Sequence, residues 1–139
     1  MAQPKTKAID TKAVQITEKV FRQQVIDLAK VFKWKVYFTW NSLHSPAGFP
    51  DLVLVWESRK LDVPNELLFI ELKSEKGRLT PAQCEWINAL KSAKQDVRVF
   101  RPSDWDDILL VLKRPGGLLL EAERLGIHRG NIERRRVKP

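Results

Sequence analysis

The chain is predicted to fold as an α/β domain, with a mixed central β-sheet flanked by helices and a basic helical tail. Two observations predict the sheet. Four short runs of β-forming residues are interleaved with three helical stretches in the order α-β-β-β-α-β-α. The third strand, the helix after it and the fourth strand have the lengths of a crossover unit, which joins parallel neighbours with a right-handed turn. The polar links among the first three strands suit an antiparallel meander instead. A third observation sets off the tail: Pro115-Gly116-Gly117 breaks the chain just before a stretch of different charge.

Each element follows from its local pattern. Residues 1–13 carry charge without an apolar period and read as a flexible lead-in, ahead of a folded body over 14–112. From about Val14 to Lys33, the apolar residues Phe21, Val25, Leu28, Ala29 and Phe32 fall at helical spacing. Lys35 to Trp40 alternates, with Val36, Phe38 and Trp40 on one face and Tyr37 and Thr39 on the other. NSLHSPAG, residues 41–48, is rich in turn formers. Leu52 to Trp56 is an unbroken apolar run, the mark of a strand covered on both faces. Pro50 and Asp51 stand at its mouth, where the missing donor of proline costs little. ESRKLDVPN, residues 57–65, suits a loose hairpin loop, and Leu67 to Lys73 is the third strand. Thr80-Pro81-Ala82-Gln83 is a strong helix start, with Thr80 as N-cap, Pro81 at the first helical position and Gln83 completing a capping box. That helix is expected to reach Ala93. Asp96 to Phe100 is the fourth strand, and Ser103 is expected to cap a short helix over Asp104–Leu112.

Composition narrows the function classes. The 139 residues suffice for one domain with a real core, and 43% hydrophobic with 30% charged residues is ordinary for a soluble globular protein. Cys84 is the single cysteine, so no disulfide forms within the chain. With only His44 and His128 to help, it makes no structural zinc site. No apolar signal region opens the chain and no apolar run is long enough to span a membrane, so a cytoplasmic location without a membrane partner is expected. Residues 1–112 hold 17 Lys and Arg against 14 Asp and Glu, a net +3, whereas 113–139 hold 8 against 3, a net +5. A basic tail on a nearly balanced body points to a polyanion, most often nucleic acid; a solvated basic tail is the alternative.

The residues that suggest chemistry lie at strand ends. In LLFIELK, Glu71 and Lys73 share one face while Leu72 points the other way. If strands two and three pair antiparallel, Asp51 at the start of one lies beside Glu71 at the end of the other. Adjacent carboxylates repel unless something positive lies between them, and a hard cation such as Mg²⁺ resolves this. Such an ion polarises a phosphate and lowers the pKa of a bound water, and Lys73 then orients the water or offsets transition-state charge. The competing reading is an ordinary ion pair at a fraying strand end.

The segments GFPDLVLV, LLFIELKSEKGRLTPAQCEWINAL and VRVFRPSDWDDILLVL together resemble the VRR-NUC (virus-type replication-repair nuclease) branch of the PD-(D/E)XK nuclease superfamily, over about Thr17 to Leu112. The shared signature is ordered: Pro50-Asp51, Glu71-Leu72-Lys73, Gly77-Arg78-Leu79-Thr80 with Gln83, and Arg101-Pro102. The resemblance implies a restriction-endonuclease-like αβββαβ core over 14–112 and a Mg²⁺- or Mn²⁺-dependent nuclease without any small-molecule cofactor. It implies that Asp51, Glu71 and the backbone carbonyl of Leu72 hold the metal and that Lys73 is the catalytic lysine. It also brings a further acid from the first helix, here Glu18, which otherwise reads as a first-turn acid favoured by the helix dipole. Gln83 matches the family's glutamine just inside the second helix, a role that can coexist with capping. The type expected is a stand-alone viral or bacterial member, without the large additional domains of eukaryotic relatives. It would act as a homodimer on branched or structured DNA such as Holliday junctions or flaps. The alternative is a non-catalytic DNA-binding or assembly module that keeps the fold.

Around this constellation, Lys76 and Arg78 are placed to meet phosphates in a glycine-containing loop, unless that loop is simply solvated; Arg98 and Arg101 are weaker candidates. Trp40, Trp56, Trp86 and Trp105 read as core or interface anchors ahead of base-stacking platforms. His44 reads as a surface loop residue and Cys84 as packing. In the tail, LLLEAERLGIHRGNIERRRVK resembles a helix-turn-helix segment, with Ala122, Gly126 and Ile132 at its small, turn and buried positions. Its second helix would present His128, Arg129, Asn131, Arg134 and Arg135 to a groove, with Arg136 beside them, although Arg135 takes a place that is usually apolar. A basic amphipathic hairpin that grips phosphates without reading bases is the alternative.

Overall fold

The computed structural model describes residues 16–39, 43–113 and 137–139. Thr17 opens helix α1 (Glu18–Val31): its backbone is extended and its Oγ1 accepts a hydrogen bond from the Val20 N–H at 3.2 Å. The helix therefore begins four residues later than its apolar period suggests. Strands β1 (Lys35–Phe38), β2 (Leu52–Trp56) and β3 (Glu66–Leu72) follow. Next come helix α2 (Pro81–Ser92), strand β4 (Asp96–Phe100) and, after a 3₁₀ turn at Pro102–Asp104, helix α3 (Trp105–Lys113).

The sheet runs in the order β1-β2-β3-β4. β1, β2 and β3 form an antiparallel meander, and β3 pairs with β4 in parallel across the α2 crossover, as expected from the lengths of the connections. Even-numbered residues of β2 and β3 point to one face, where Leu52, Leu54, Leu68, Ile70 and Leu72 meet Phe21, Val25 and Ala29 of α1 and Ile108 and Leu112 of α3. Each fully buried Leu, Ile, Val or Phe side chain among these contributes about 1.5–3 kcal/mol relative to exposure. On the opposite face Phe69 and Val97 pack with Ile87 of α2 in a second, smaller cluster. The sheet is thus a middle layer between α1 with α3 and α2. The buried Trp34 ties the first layer together, its Nε1 donating to the Leu112 carbonyl at 3.0 Å. Val36 and Phe38 of β1 face the larger core while Tyr37 is exposed, which is the expected alternation; Trp40 lies outside the described residues.

The start of α2 is as expected: Thr80 Oγ1 accepts from the Gln83 N–H at 3.2 Å and Gln83 Oε1 accepts from the Thr80 N–H at 2.9 Å. The start of α3 is not. Ser103 is no cap; its N–H and Oγ both donate to the Glu75 carboxylate, across 28 residues. Asp104 takes over the local role, accepting the Arg101 N–H at 2.8 Å, which produces the 3₁₀ turn ahead of the helix. At the C-terminal end, the Asn88 side chain of α2 pairs with both backbone groups of Val137, donating to its carbonyl at 3.0 Å and accepting its N–H at 2.9 Å. The Val137 side chain packs against the smaller cluster. The proposed flexible lead-in and the helical tail over 114–136 lie outside the described residues.

Candidate active site

The register Leu52↔Ile70 places Asp51, one step before β2, opposite Glu71 near the end of β3. Asp51 Oδ2 accepts the Leu72 N–H at 2.8 Å, which fixes this carboxylate at the strand mouth. Glu71 shares its sheet face with Phe69 and points toward α2, where Gln83 Nε2 donates to its Oε1 at 2.5 Å. One glutamine side chain therefore closes the capping box with its oxygen and holds the carboxyl with its nitrogen. Glu71 is only 1% exposed, and its Oε2 has no hydrogen-bond partner among the described residues.

A glycine makes this assembly possible. Gly48 adopts φ +90°, and a Cβ there would lie 2.4 Å from the Ala82 carbonyl carbon and 2.7 Å from the Gln83 nitrogen. The chain leading to Asp51 thus lies directly on the first turn of α2, backbone against backbone. No side chain could be inserted without separating Asp51 from the helix that carries Gln83.

Electrostatics mark the same place. Burial first and the Asp51 carboxylate second push the Glu71 carboxyl up to about 8, against the opposing charge of Lys73. The Asp51 carboxyl is also raised, chiefly by burial, against the Leu72 N–H and the charges of Arg22 and Lys73. Arg22 is not part of the sequence motif, yet it lowers the Asp51 pKa more than Lys73 does. Its signal was the position one helical turn after Glu18. Glu18 itself is surface-exposed, and its Oε1 accepts the Ser74 N–H at 3.2 Å, immediately after Lys73. Its charge is felt by both Asp51 and Glu71.

The structure thus brings together Asp51, Glu71, Lys73, Gln83 and, at the rim, Glu18. Among the described residues, no three His, Cys, Asp or Glu side chains converge closely enough to hold a metal by themselves. The two facing carboxylates do fit a hard divalent cation. Their oxygens are the donors such ions take, and the unpartnered Glu71 Oε2 is an interior polar atom that a proton or a cation would satisfy.

Other candidates lie around this centre. Lys76 and Arg78 are exposed in the loop after Lys73. Arg98 is engaged with Asp96 at 2.7 Å, and Arg101 donates to the carbonyls of Ser74 at 2.5 Å and Glu75 at 3.5 Å. Together with Ser103 and Glu18, Arg101 pins the segment following Lys73, a structural use of the Arg-Pro pair that sequence spacing did not reveal. His44 is an exposed loop residue and Cys84 is buried in packing. Trp56 and Trp105 pack against the larger core. His128, Arg129, Asn131, Arg134, Arg135 and Arg136 lie outside the described residues.

Against known proteins, a family model described as the VRR-NUC domain matches residues 9–104. A solved structure named VRR_NUC domain protein is similar in fold, with a TM-score of 0.52 and 21% sequence identity, over 84% of this chain and 95% of that one. No curated protein matches. Among the described residues, no helix is long and apolar enough to cross a membrane.

Proposed function

The chain belongs to the VRR-NUC family, with its nuclease-type fold, and from this premise we propose that it is a metal-dependent endonuclease that hydrolyses phosphodiester bonds in DNA. The observation that carries the reading is the Glu71 carboxyl, buried opposite a second carboxylate with one oxygen unpartnered. A fold that needed only stability would place an apolar side chain there.

In this reading Asp51 and Glu71, with the backbone carbonyl of Leu72, hold Mg²⁺ or Mn²⁺; when bound, the ion supplies Lewis-acid polarisation of the scissile phosphate. Lys73, at the end of β3, orients the attacking water or offsets negative charge developing on the phosphate. Gln83 holds the Glu71 carboxyl in one orientation through its 2.5 Å hydrogen bond. Glu18 holds the turn that follows Lys73 through the Ser74 amide and is the further acid available to the site. Lys76 and Arg78 are exposed beside it and suit phosphate contacts. The proposed substrates are branched or structured DNA, four-way junctions and flaps, in the cytoplasm. Two strands would be cut by a homodimer carrying one site per subunit.

The test is incubation of the protein with linear, flap and four-way-junction DNA in Mg²⁺, Mn²⁺ or EDTA. Metal-dependent cutting is expected, with Asp51→Asn and Lys73→Ala reduced by on the order of a hundredfold or more. If neither metal yields cleavage, or if both variants cut like wild type, the proposal fails. Retained binding without cutting would identify a non-catalytic DNA-binding module instead.

A further inference from the structure

Beside the carboxylates stands a group of three aromatic rings that the proposed hydrolysis does not use. The Phe49 ring meets the Trp86 ring edge-to-face at 5.1 Å and the Phe69 ring edge-to-face at 6.0 Å, both at 81°. Each ring is carried by the same piece of chain as one residue of the site. Phe49 precedes Asp51 by two residues, Phe69 precedes Glu71 by two on the same strand face, and Trp86 follows Gln83 by three on α2. Phe69 is 9% exposed and belongs to the smaller core, but Phe49 is 38% exposed and Trp86 half-buried.

Phe49 is one of several exposed large apolar side chains among the described residues, but it is set apart by its contacts with two other rings, two residues before Asp51. A ring that served only to seal the small core would gain by full burial. The tight seating of Gly48 on the first turn of α2 instead holds the following residue out over that helix. Two edge-to-face contacts fix the ring plane without covering it completely, which is how a stacking surface is preorganised. Aromatic faces accept any nucleobase, and stacking is open only to a base that has left its own helix. The exposed Lys76 and Arg78, in the loop after Lys73, supply positive charge for the phosphates of the same strand.

We infer that Phe49, with Trp86 set edge-to-face against it as a side wall, is an aromatic shelf that receives one unstacked DNA base next to the carboxylate pair, so that the site selects strands with an unpaired or splayed nucleotide. The inference rests on the nuclease reading for its substrate and adds a reason for preferring branched DNA over continuous duplex.

The full chain is mixed in EDTA with DNA carrying a fluorescent adenine analogue whose emission falls on stacking, placed at the unpaired nucleotide of a flap or within a continuous duplex. Binding is expected to quench the probe in the flap. Phe49→Leu, which keeps an apolar plug but loses both ring contacts, is expected to abolish the protein-induced quench, to weaken affinity for the flap about tenfold and to lower the melting temperature modestly while the protein stays folded; Phe49→Tyr is expected to restore quench, affinity and stability. Absence of quenching by the wild-type protein, full quenching by Phe49→Leu, or a Phe49→Tyr protein no better than Phe49→Leu overturns the shelf. Cutting in Mg²⁺ judges the nuclease reading separately. A chain that cuts flaps as well with Phe49→Leu as with wild type loses the shelf and keeps the nuclease; one that quenches through Phe49 yet never cuts keeps the shelf and loses the nuclease.

Discussion

Held up at about 8 by burial and by the Asp51 carboxylate, the Glu71 side chain keeps its proton at neutral pH, and in the proposed metal site a cation would take the proton's place. In the unfolded chain the same carboxyl ionises near its ordinary value of 4.5. Between these values the unfolded state releases a proton that the folded state retains. The stability this group contributes is therefore complete below pH 4.5 and is lost as pH rises through 8. Glu71→Gln, which cannot ionise, is expected to melt at about the wild-type temperature at pH 5 in EDTA and several degrees higher at pH 9. Parallel melting-versus-pH curves for the two proteins would reject the assignment. If Mg²⁺ binds as proposed, the same competition would make it a stabiliser whose effect grows with pH up to about 8. Thermal melts with and without Mg²⁺ should show this for wild type, with a much smaller effect in Glu71→Gln. At this scale Asp51 and Glu71 could be set side by side from strand alternation and the expected antiparallel pairing, whereas spacing marked Gln83 only as a cap and the family resemblance alone brought it to the site. Arg22 could not be placed, since its approach to Asp51 depends on how α1 lies across the sheet.

The helix starts were not equally readable, and the difference is chemical. Thr80-Pro81-Ala82-Gln83 states its own start, whereas Thr17 has Val20 where a capping box needs Glu or Gln, so only its hydroxyl marks the boundary. Both long helices end on lysines in the left-handed region, Lys33 at φ 69° and Lys94 at φ 64°. Each closes a Schellman motif: Trp34 N–H to Ala29 carbonyl and Lys33 N–H to Lys30 carbonyl in one, Gln95 N–H to Leu90 carbonyl and Lys94 N–H to Lys91 carbonyl in the other, all at 3.0 Å. Neither stretch has the glycine that usually marks such an end, yet both ends fall within two residues of the expected Lys33 and Ala93, because the apolar period stops there. A left-handed L-residue costs about 1–2 kcal/mol, of which glycine's extra freedom in the unfolded chain returns roughly half. Lys94→Gly is thus expected to stabilise the protein by about 0.5–1 kcal/mol and Lys94→Val to destabilise it by more than about 1 kcal/mol. Denaturant titration checks both. A less stable Lys94→Gly protein would contradict this account of the helix end. The misassigned cap at Ser103 has a different cause, a carboxylate arriving from Glu75, which no local pattern announces.

On the scale of the whole molecule, element order and crossover length were enough to predict the mixed sheet, but not the return of the chain to α2 at Val137. That return depends on hydrogen bonds between residues 49 positions apart. It changes how the basic tail should be tested. Residues 113–139 carry net +5 of the chain's +8, and a polyanion partner is their physical expectation. Deleting 115–139 is expected to weaken DNA binding and flatten its salt dependence. The deletion also strips the Asn88 amide of both partners and removes Val137 from the smaller core, at a cost of about 1 kcal/mol or more. Weaker binding by the deletion alone would then not distinguish a less stable fold from missing positive charge. Replacing Arg134, Arg135 and Arg136 by glutamine separates the two, because Val137 stays in place. If these side chains neutralise phosphates, the slope of log K against log salt becomes shallower by roughly 0.9 for each phosphate no longer neutralised, about 2 to 3 for all three, with the melting temperature unchanged. Asn88→Ala is expected to do the reverse, lowering the melting temperature and leaving the slope intact. A triple variant that binds DNA with the wild-type salt slope removes these three arginines from the DNA interface, whatever its affinity.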